Sequence, residues 1–353
     1  MHLLVTGGAG FVGANLCVAL AARHPDWRIV AFDNLKRRGS EVNLPRLREA
    51  GADFVHGDVR APGDLAELGP FDAIVECSAE PSVMAGVDGS PDYLVQSNLV
   101  GAYHCLELAR RSGAQLVFLS TSRVYPVAAL DRLAVHETET RFELSADQPL
   151  AGASERGIDE RFPLEGARTM YGATKLAAEL LIAEYAETYG LRAAVNRCGV
   201  IAGPWQMGKV DQGVFTHWML SFYFQRPLAY FGYGGAGKQV RDLLHVDDLA
   251  ELVDDQLQRP EAWAGTTFNV GGGRVGSLSL RETTDVCREL TGNDVAISSV
   301  QETRAGDVRI FLSDCSAIFA HAAWRPSRTP RDVLEDTFGW IHDNERTLRS
   351  LLN

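Results

Sequence analysis

The stretch Met1-His2-Leu3-Leu4-Val5-Thr6-Gly7-Gly8-Ala9-Gly10-Phe11-Val12-Gly13-Ala14-Asn15-Leu16-Cys17 decides the fold. His2–Thr6, rich in branched apolar side chains, reads as a strand, and Ala14-Asn15-Leu16-Cys17 reads as helical. Between them the glycines are spaced G-x-x-G-x-x-G. Gly7 permits a tight turn, Gly10 lets backbone approach a pyrophosphate, and Gly13 lets helix and strand pack closely. Asp33 ends the next strand-like run, 20 residues after Gly13. A carboxylate there accepts hydrogen bonds from adenosine ribose hydroxyls and repels a 2′-phosphate. The arrangement is that of a dinucleotide site, and Asp33 favours NAD. Lys36, Arg37 and Arg38 follow, which leaves NADP open or makes a solvated loop. Asp58, in His56-Gly57-Asp58-Val59, fits an adenine contact or a helix cap. The expected cofactor contacts here are Gly7, Gly10, Phe11, Val12, Asp33, Asn34, Lys36, Asp58 and Val59.

The same alternation continues outward. Strand-like runs cover His2–Thr6, Arg28–Asp33, Asp53–His56, Ala73–Cys77, Gln115–Ser120 and Arg192–Arg197, with helical periods between most of them, as in Asn98–Ser112 and Tyr171–Tyr189. This predicts an α/β protein: a Rossmann-type doubly wound parallel sheet. From about Cys198 the rhythm changes to an aromatic helix (Gly213–Gln225), a Gly-rich turn (Gly232–Gly237) and a closing helix from Pro330. That half reads as a smaller α/β cap over the carboxyl ends of the strands. The expected division is 1–197, with a return segment about 240–270, against 198–239 and 271–353. Residues 126–168, rich in charge, Pro and Gly, form an active-site or interface excursion.

The 353 residues are 46% hydrophobic and 23% charged, with mean hydropathy −0.09 and no apolar run of membrane-spanning length. A net charge of −12 argues against general binding to nucleic acid or anionic membrane. Cysteines 17, 77, 105, 198, 287 and 315 show no Cys-x-x-Cys pair, so reduced thiols are expected over disulfides or zinc, and no metal site. No secretory signal is legible at the start, and a cytoplasmic chain is expected.

Tyr171-Gly172-Ala173-Thr174-Lys175 places a tyrosine and a lysine four residues apart on one helix face. A phenol with pKa near 10 is a poor base at neutrality. An ammonium one turn away, with the positive charge of an oxidised nicotinamide, favours the phenolate. The Ser120-Thr121-Ser122-Arg123-Val124-Tyr125 run closes the fifth strand 50 residues earlier and puts hydroxyls at its end. A cap explains one hydroxyl; it does not explain glycine loop, hydroxyl strand end and Tyr/Lys helix in that order.

Together these motifs resemble the extended short-chain dehydrogenase/reductase family, and within it the nucleotide-sugar epimerases. The chain is most similar there to the CDP-paratose/CDP-tyvelose 2-epimerase group. The stretches that carry this are Phe32-Asp33-Asn34-Leu35, His136-Glu137-Thr138-Glu139-Thr140-Arg141, Asp211-Gln212-Gly213, Gly237-Lys238-Gln239-Val240-Arg241-Asp242 and Gly276-Ser277-Leu278-Ser279-Leu280. The resemblance implies a catalytic set of Thr121, Tyr171 and Lys175. It adds Ser78, Ala79, Asn98, Ser120, Tyr171 and Lys175 to the cofactor contacts. For the substrate it implies Glu80, Ser122, Arg123, Gln212, Arg241 and Arg304, the two last arginines binding a nucleotide diphosphate or bridging domains as ion pairs. Glu80 stands in place of a commoner Gln. Val200 stands where an Asn is common, and Pro126 where a Gly is.

The implied reaction is a redox-neutral epimerisation by transient hydride transfer, through a keto sugar, with tightly held NAD. The expected substrate is a CDP-sugar inverted at C2. A 4-epimerase, a uronic-acid-sugar epimerase or decarboxylase, and a non-catalytic NAD sensor remain alternatives. Dehydratases of the family carry Asp-Glu after the catalytic Thr; here Ser122-Arg123 follows. The helices Asn98–Ser112 and Tyr171–Tyr189, with Leu176, Leu180, Ala183 and Ala186, suggest a homodimer, although periodicity alone fits a core equally.

Overall fold

Parallel strands buried on both faces need near-continuous apolar runs, and these are what the first third of the chain supplies. The structure is a computed structural model and describes residues 1–87, 89–208, 212–304 and 306–352. Its central sheet contains β1 (His2–Thr6), β2 (Arg28–Asp33), β3 (Asp53–His56), β4 (Ala73–Glu76), β5 (Gln115–Thr121), β6 (Ala193–Cys198) and β7 (Thr266–Val270). Their order across the sheet is β7-β6-β5-β4-β1-β2-β3, and the pairings among β1 to β5 are parallel. The first six expected strands agree with this to within a residue at either end. β7 was covered by the return segment but not foreseen as a strand.

The chain divides into two units. The first is Met1–Val124, Met170–Arg197 and Leu249–Thr267; the second is Tyr125–Thr169, Cys198–Asp248 and Phe268–Asn353. The break after Arg197 is the expected one; what differs is the excursion, Tyr125–Thr169, and the return segment, which is Leu249–Thr267. The excursion clusters with the second unit, which is therefore no smaller than the first. The reason is local: Phe142 N–H donates to Lys238 O, Ile158 N–H donates to Leu312 O, and Arg156 pairs with Asp314.

In the first unit, α1 (Phe11–Arg23), α2 (Gly101–Ser112) and α3 (Met170–Tyr189) flank the sheet. Leu4, Ile74, Leu116 and Phe118 from the strands pack with Cys105, Leu106 and Ala109 of α2 and Ala178 and Ile182 of α3. Immediately before α2, Gln96–Val100 forms a π-helical turn, a wider coil common at functional positions. The late segment is cross-linked into this unit. Asn196 and Gln256 exchange amide hydrogen bonds at 2.9 Å, Gln115 donates to Leu257 O at 2.8 Å, and His24 meets Asp254 at 2.6 Å.

The second unit has its own core. Here α4 (Val214–Tyr223), α5 (Leu280–Thr291) and α6 (Pro330–Asp343) bring together Trp218, Phe222, Cys287, Leu334 and Ile341. Both α5 and α6 begin with capping boxes, Ser279/Glu282 and Thr329/Asp332, which satisfy orphan N–H groups of the first turn. No disulfide joins cysteines among the described residues, and no helix among them is long and apolar enough to cross a membrane.

Candidate active site

After Thr6 the chain turns at Gly7, φ +63°, and Gly10 N–H donates back to Gly7 O at 2.9 Å. A Cβ on Gly13 would lie 2.2 Å from Gly7 O, and one on Gly7 would lie 2.9 Å from the Cys77 carbonyl. No side chain caps α1 and no acidic residue occupies its first turn, so the amides of Phe11 and Val12 face an electropositive helix start suited to a phosphate. Asn43, buried and not singled out from sequence, holds this loop: its amide donates to Ala9 O and its carbonyl accepts from Arg46.

At the end of β2, the Asp33 carboxylate accepts from Ala9 N–H at 3.1 Å and Leu35 N–H at 2.8 Å. Burial raises its carboxyl above the usual range, and these amide bonds draw it back only in part. Asn34 donates to Asp58 at 2.9 Å and accepts from Lys36 N–H. Asp58 also binds Arg60 at 2.6 Å. Against partial burial, the Arg60 bonds and Asn34 take its carboxyl down to about 2. Lys36, though exposed, lies 3.8 Å above the Tyr93 ring, and Arg60 lies 4.7 Å from the same ring, so cation–π contact anchors Lys36 within the basic loop. Val59 leaves only its backbone N–H for a cofactor. Its side chain is in the core against Gly101, and its carbonyl engages His104.

The reactive hydroxyls and the Tyr/Lys helix belong to this same unit. Thr121 ends β5, and its hydroxyl accepts from Arg123 N–H at 3.2 Å. Ser122 and Arg123 form the 3-10 turn Ser122–Val124, against which α3 packs. Tyr171 is the second residue of α3, half-buried, with Lys175 one turn on and only 2% exposed. Lys175 Nζ lies 3.4 Å from Glu76 and 4.4 Å from the Phe118 ring centre. Ser120 is turned to Glu179, which Arg197 grips at 2.7 Å in a buried network.

Ser78, nearly buried, and Ala79 follow β4 beside Gly7. Asn98, in the π turn, accepts from Glu80 N–H at 2.7 Å and donates to Glu80 O at 3.1 Å. It therefore clamps the Cys77–Glu80 loop. The Glu80 carboxylate accepts from Ser82 N–H.

The second unit holds the expected arginines. Arg241 pairs with Asp307 at 2.6 Å, and Arg304 stacks 3.6 Å over Phe231, while Asp307 N–H bonds Arg304 O. Gln212 precedes α4, and Asp211 lies outside the described residues. Val200 packs on the apolar core of the unit. Asp242 is fully buried and accepts from Ser313 and Gly273 N–H, so it is part of the scaffold. Three of the stretches that carried the resemblance knit to one another: Arg141 donates to Ser277, Thr140 to Glu282, and Lys238 to Glu137 and Thr138. Glu76, Glu179, Arg197 and Asn43 were missed from sequence. Only the lone carboxylate at the end of an apolar strand, Ile74-Val75-Glu76, was a signal.

The family model for the NAD dependent epimerase/dehydratase family matches residues 3–271. The CDP-paratose 2-epimerase of Salmonella typhi is 31% identical over 352 residues, covering 96% of this chain and 99% of that protein. Among solved structures, the UDP-glucose 4-epimerase of Thermus thermophilus in complex with NAD superposes with TM-score 0.78 at 25% identity, covering 97% of this chain and 99% of that one. A dTDP-glucose 4,6-dehydratase of Streptomyces venezuelae superposes with TM-score 0.77 at 28% identity, covering 99% and 100%. With a seven-stranded sheet in this order and a family match over most of its length, the chain belongs to the NAD-dependent epimerase/dehydratase family.

Proposed function

We propose that the chain is an NAD-dependent nucleotide-sugar epimerase, and specifically a 2-epimerase of a CDP-sugar of the CDP-paratose/CDP-tyvelose type. The observation that carries this is the union of Tyr171 and Lys175 on α3 with Thr121 at the end of β5, in a chain that aligns end to end with a CDP-paratose 2-epimerase. The Gly7–Gly13 cradle, which a Cβ would fill, and the Asp33 carboxylate fit a dinucleotide. Bound NAD supplies a reversible hydride acceptor. Gly10, Phe11 and Val12 would hold its pyrophosphate, Asp33 and Asn34 its adenosine ribose, and Ser78 and Ala79 would line the nicotinamide end.

Tyr171 takes the proton of a sugar hydroxyl and returns it after the planar ketone has presented its other face. Thr121 donates to the reacting oxygen. Lys175, held as an ammonium, stabilises the Tyr171 phenolate. Arg241 and Arg304 grip the diphosphate, so binding remote from the reacting carbon leaves the sugar free to turn. After Thr121 come Ser122 and Arg123, so the acid/base carboxylate pair that eliminates water has no counterpart at these positions.

The test is incubation with a panel of CDP-, UDP-, GDP- and dTDP-sugars in deuterated water without added cofactor, followed by NMR. The expected product is the C2 epimer of a CDP-sugar, its migrating hydrogen retained. Conversion of a UDP-hexose at C4 instead would move the assignment to a 4-epimerase, and no product from any sugar would favour a binding module. We also propose a cytoplasmic homodimer joined through α2 and α3, where Tyr103, Leu180 and Tyr189 are exposed, Leu180 by 64%. Light scattering that shows only monomer would remove that assignment.

A further inference from the structure

Glu76 ends β4 in the middle of a parallel sheet, where a carboxylate is out of place. In the sheet register it lies between Thr6 of β1 and Phe118 of β5, all three on one face. The residue is 1% exposed. One carboxylate oxygen lies 3.4 Å from Lys175 Nζ; burial raises the Glu76 carboxyl, and Lys175 together with the Ser78 N–H draws it part of the way back. A charge kept in such a place needs a reason other than stability, since an apolar residue there costs less.

We propose that Glu76 is a positioning residue for catalysis: it is the fixed counter-ion that seats the Lys175 ammonium one helical turn from Tyr171. This rests on Tyr171 and Lys175 acting as described above. Burial alone would strip the proton from a lysine 2% exposed. Glu76, and after it Tyr171, outweigh that burial, and Lys175 is held above its ordinary value. The groups facing the pair are few. From α3 come Lys175 and Tyr171, and from the loop after β4 comes Cys77. From α2 comes Cys105, whose thiol burial drives well up, so it stays neutral. Phe118 offers its ring face to the ammonium at 4.4 Å. Glu76 is thus the one carboxylate among the groups found to act on Lys175. It has two opposed effects on Tyr171: it keeps the neighbouring cation in existence, and its own negative charge restrains the phenol from ionising too early.

The test is Glu76→Gln in the 353-residue chain, isosteric but uncharged. Two readouts are followed: the titration of Lys175 Nζ by 15N NMR, assigned through loss of the signal in Lys175→Met, and the pH profile of kcat/KM with CDP-paratose. The Lys175 midpoint should fall by about one pH unit or more, the size of effect a close opposite charge exerts. Both limbs of the rate profile should move down in pH with it, because the phenol and the ammonium each lose the same negative neighbour. Should Gln prevent folding, Glu76→Asp is used; its shorter carboxylate should move both readouts the same way by less. An unmoved Lys175 midpoint and an unmoved profile in a folded variant would overturn the proposal and leave Glu76 a plain structural ion pair. A Lys175 midpoint that falls, in a protein whose parent does not convert CDP-paratose, would uphold the pairing and count only against the substrate assignment.

Discussion

Gly13→Ala puts the cofactor cradle to a quantitative test. The added methyl would stand 2.2 Å from Gly7 O, 2.8 Å from Gly7 C and 2.9 Å from Gly8 Cα, all backbone atoms that cannot rotate aside. Relief requires the start of α1 to move about 1 Å from the end of β1, and overpacking of that kind costs about 1–3 kcal/mol. Alanine is the better helix former by up to about 1 kcal/mol, which offsets part of it. The net loss is about 1–2 kcal/mol, a fall in Tm of roughly 2–8 °C for a unit of this size. The same movement displaces the amides of Phe11 and Val12, so affinity for NAD should weaken at least tenfold, about 1.4 kcal/mol. Gly339→Ala is the matched control. Gly339 lies inside α6 with nothing within 4 Å of its would-be Cβ, so alanine there should stabilise by up to about 1 kcal/mol. Calorimetric melting and titration of NAD into cofactor-stripped protein measure both effects. If Gly13→Ala melts and binds NAD like its parent, the close approach of helix and strand is not what these glycines are for.

Tyr171→Phe should lower epimerisation by at least about 100-fold and leave NAD binding intact, as expected for loss of one general base; a near-parental rate would reassign the base. Asn98→Ala removes both hydrogen bonds to Glu80 and strands two backbone groups, so the urea midpoint should report a loss of at least about 2 kcal/mol. Asp58 contributes to acid stability with a definite sign. Its folded carboxyl titrates at about 2, below the roughly 3.9 of an unfolded chain, so its contribution is full above about pH 4 and vanishes as pH falls through about 2. Asp58→Asn should flatten that part of the stability–pH curve in urea titrations between pH 5 and 2, and an unchanged curve would show that the Arg60 and Asn34 contacts do not persist in solution.

The strands of the first half were legible because a strand buried on both faces carries its signal in consecutive residues: Leu3-Leu4-Val5 and Ile29-Val30-Ala31 need no partner to be read. Tyr171 and Lys175 were legible for a similar reason, since one helical turn joins them. Contacts between residues far apart in the chain were not. Glu76 meets Lys175 across 99 positions, and nothing near either residue announces the other. Ser120 looked like a cofactor neighbour by position, yet its hydroxyl is spent on Glu179 because Arg197 holds that carboxylate inside the fold. The excursion was assigned to the wrong side for want of the same information. Its hydrogen bonds run to Lys238 and Leu312, and Arg141, Lys238 and Ser277, from three of the stretches that marked the subgroup, belong to that clasp. A spacing rule sees neighbours along a helix or strand; it does not see who answers whom across a core.

Each unit of this protein is stitched from three separate lengths of chain, and this governs the order in which it can be made. When the ribosome has delivered the first 197 residues, Asn196 still lacks Gln256, Gln115 lacks the carbonyl of Leu257, and His24 lacks Asp254. The nucleotide-fold half therefore waits, with buried amides open, until residues 256 and 257 have emerged, and the other half waits for the helix Glu345–Leu352. No single scissor cut through the gene frees either half whole. A fragment ending near 197 should need a chaperone, and the same fragment supplied in trans with the remainder is where split-protein complementation would show whether the late segment completes the fold.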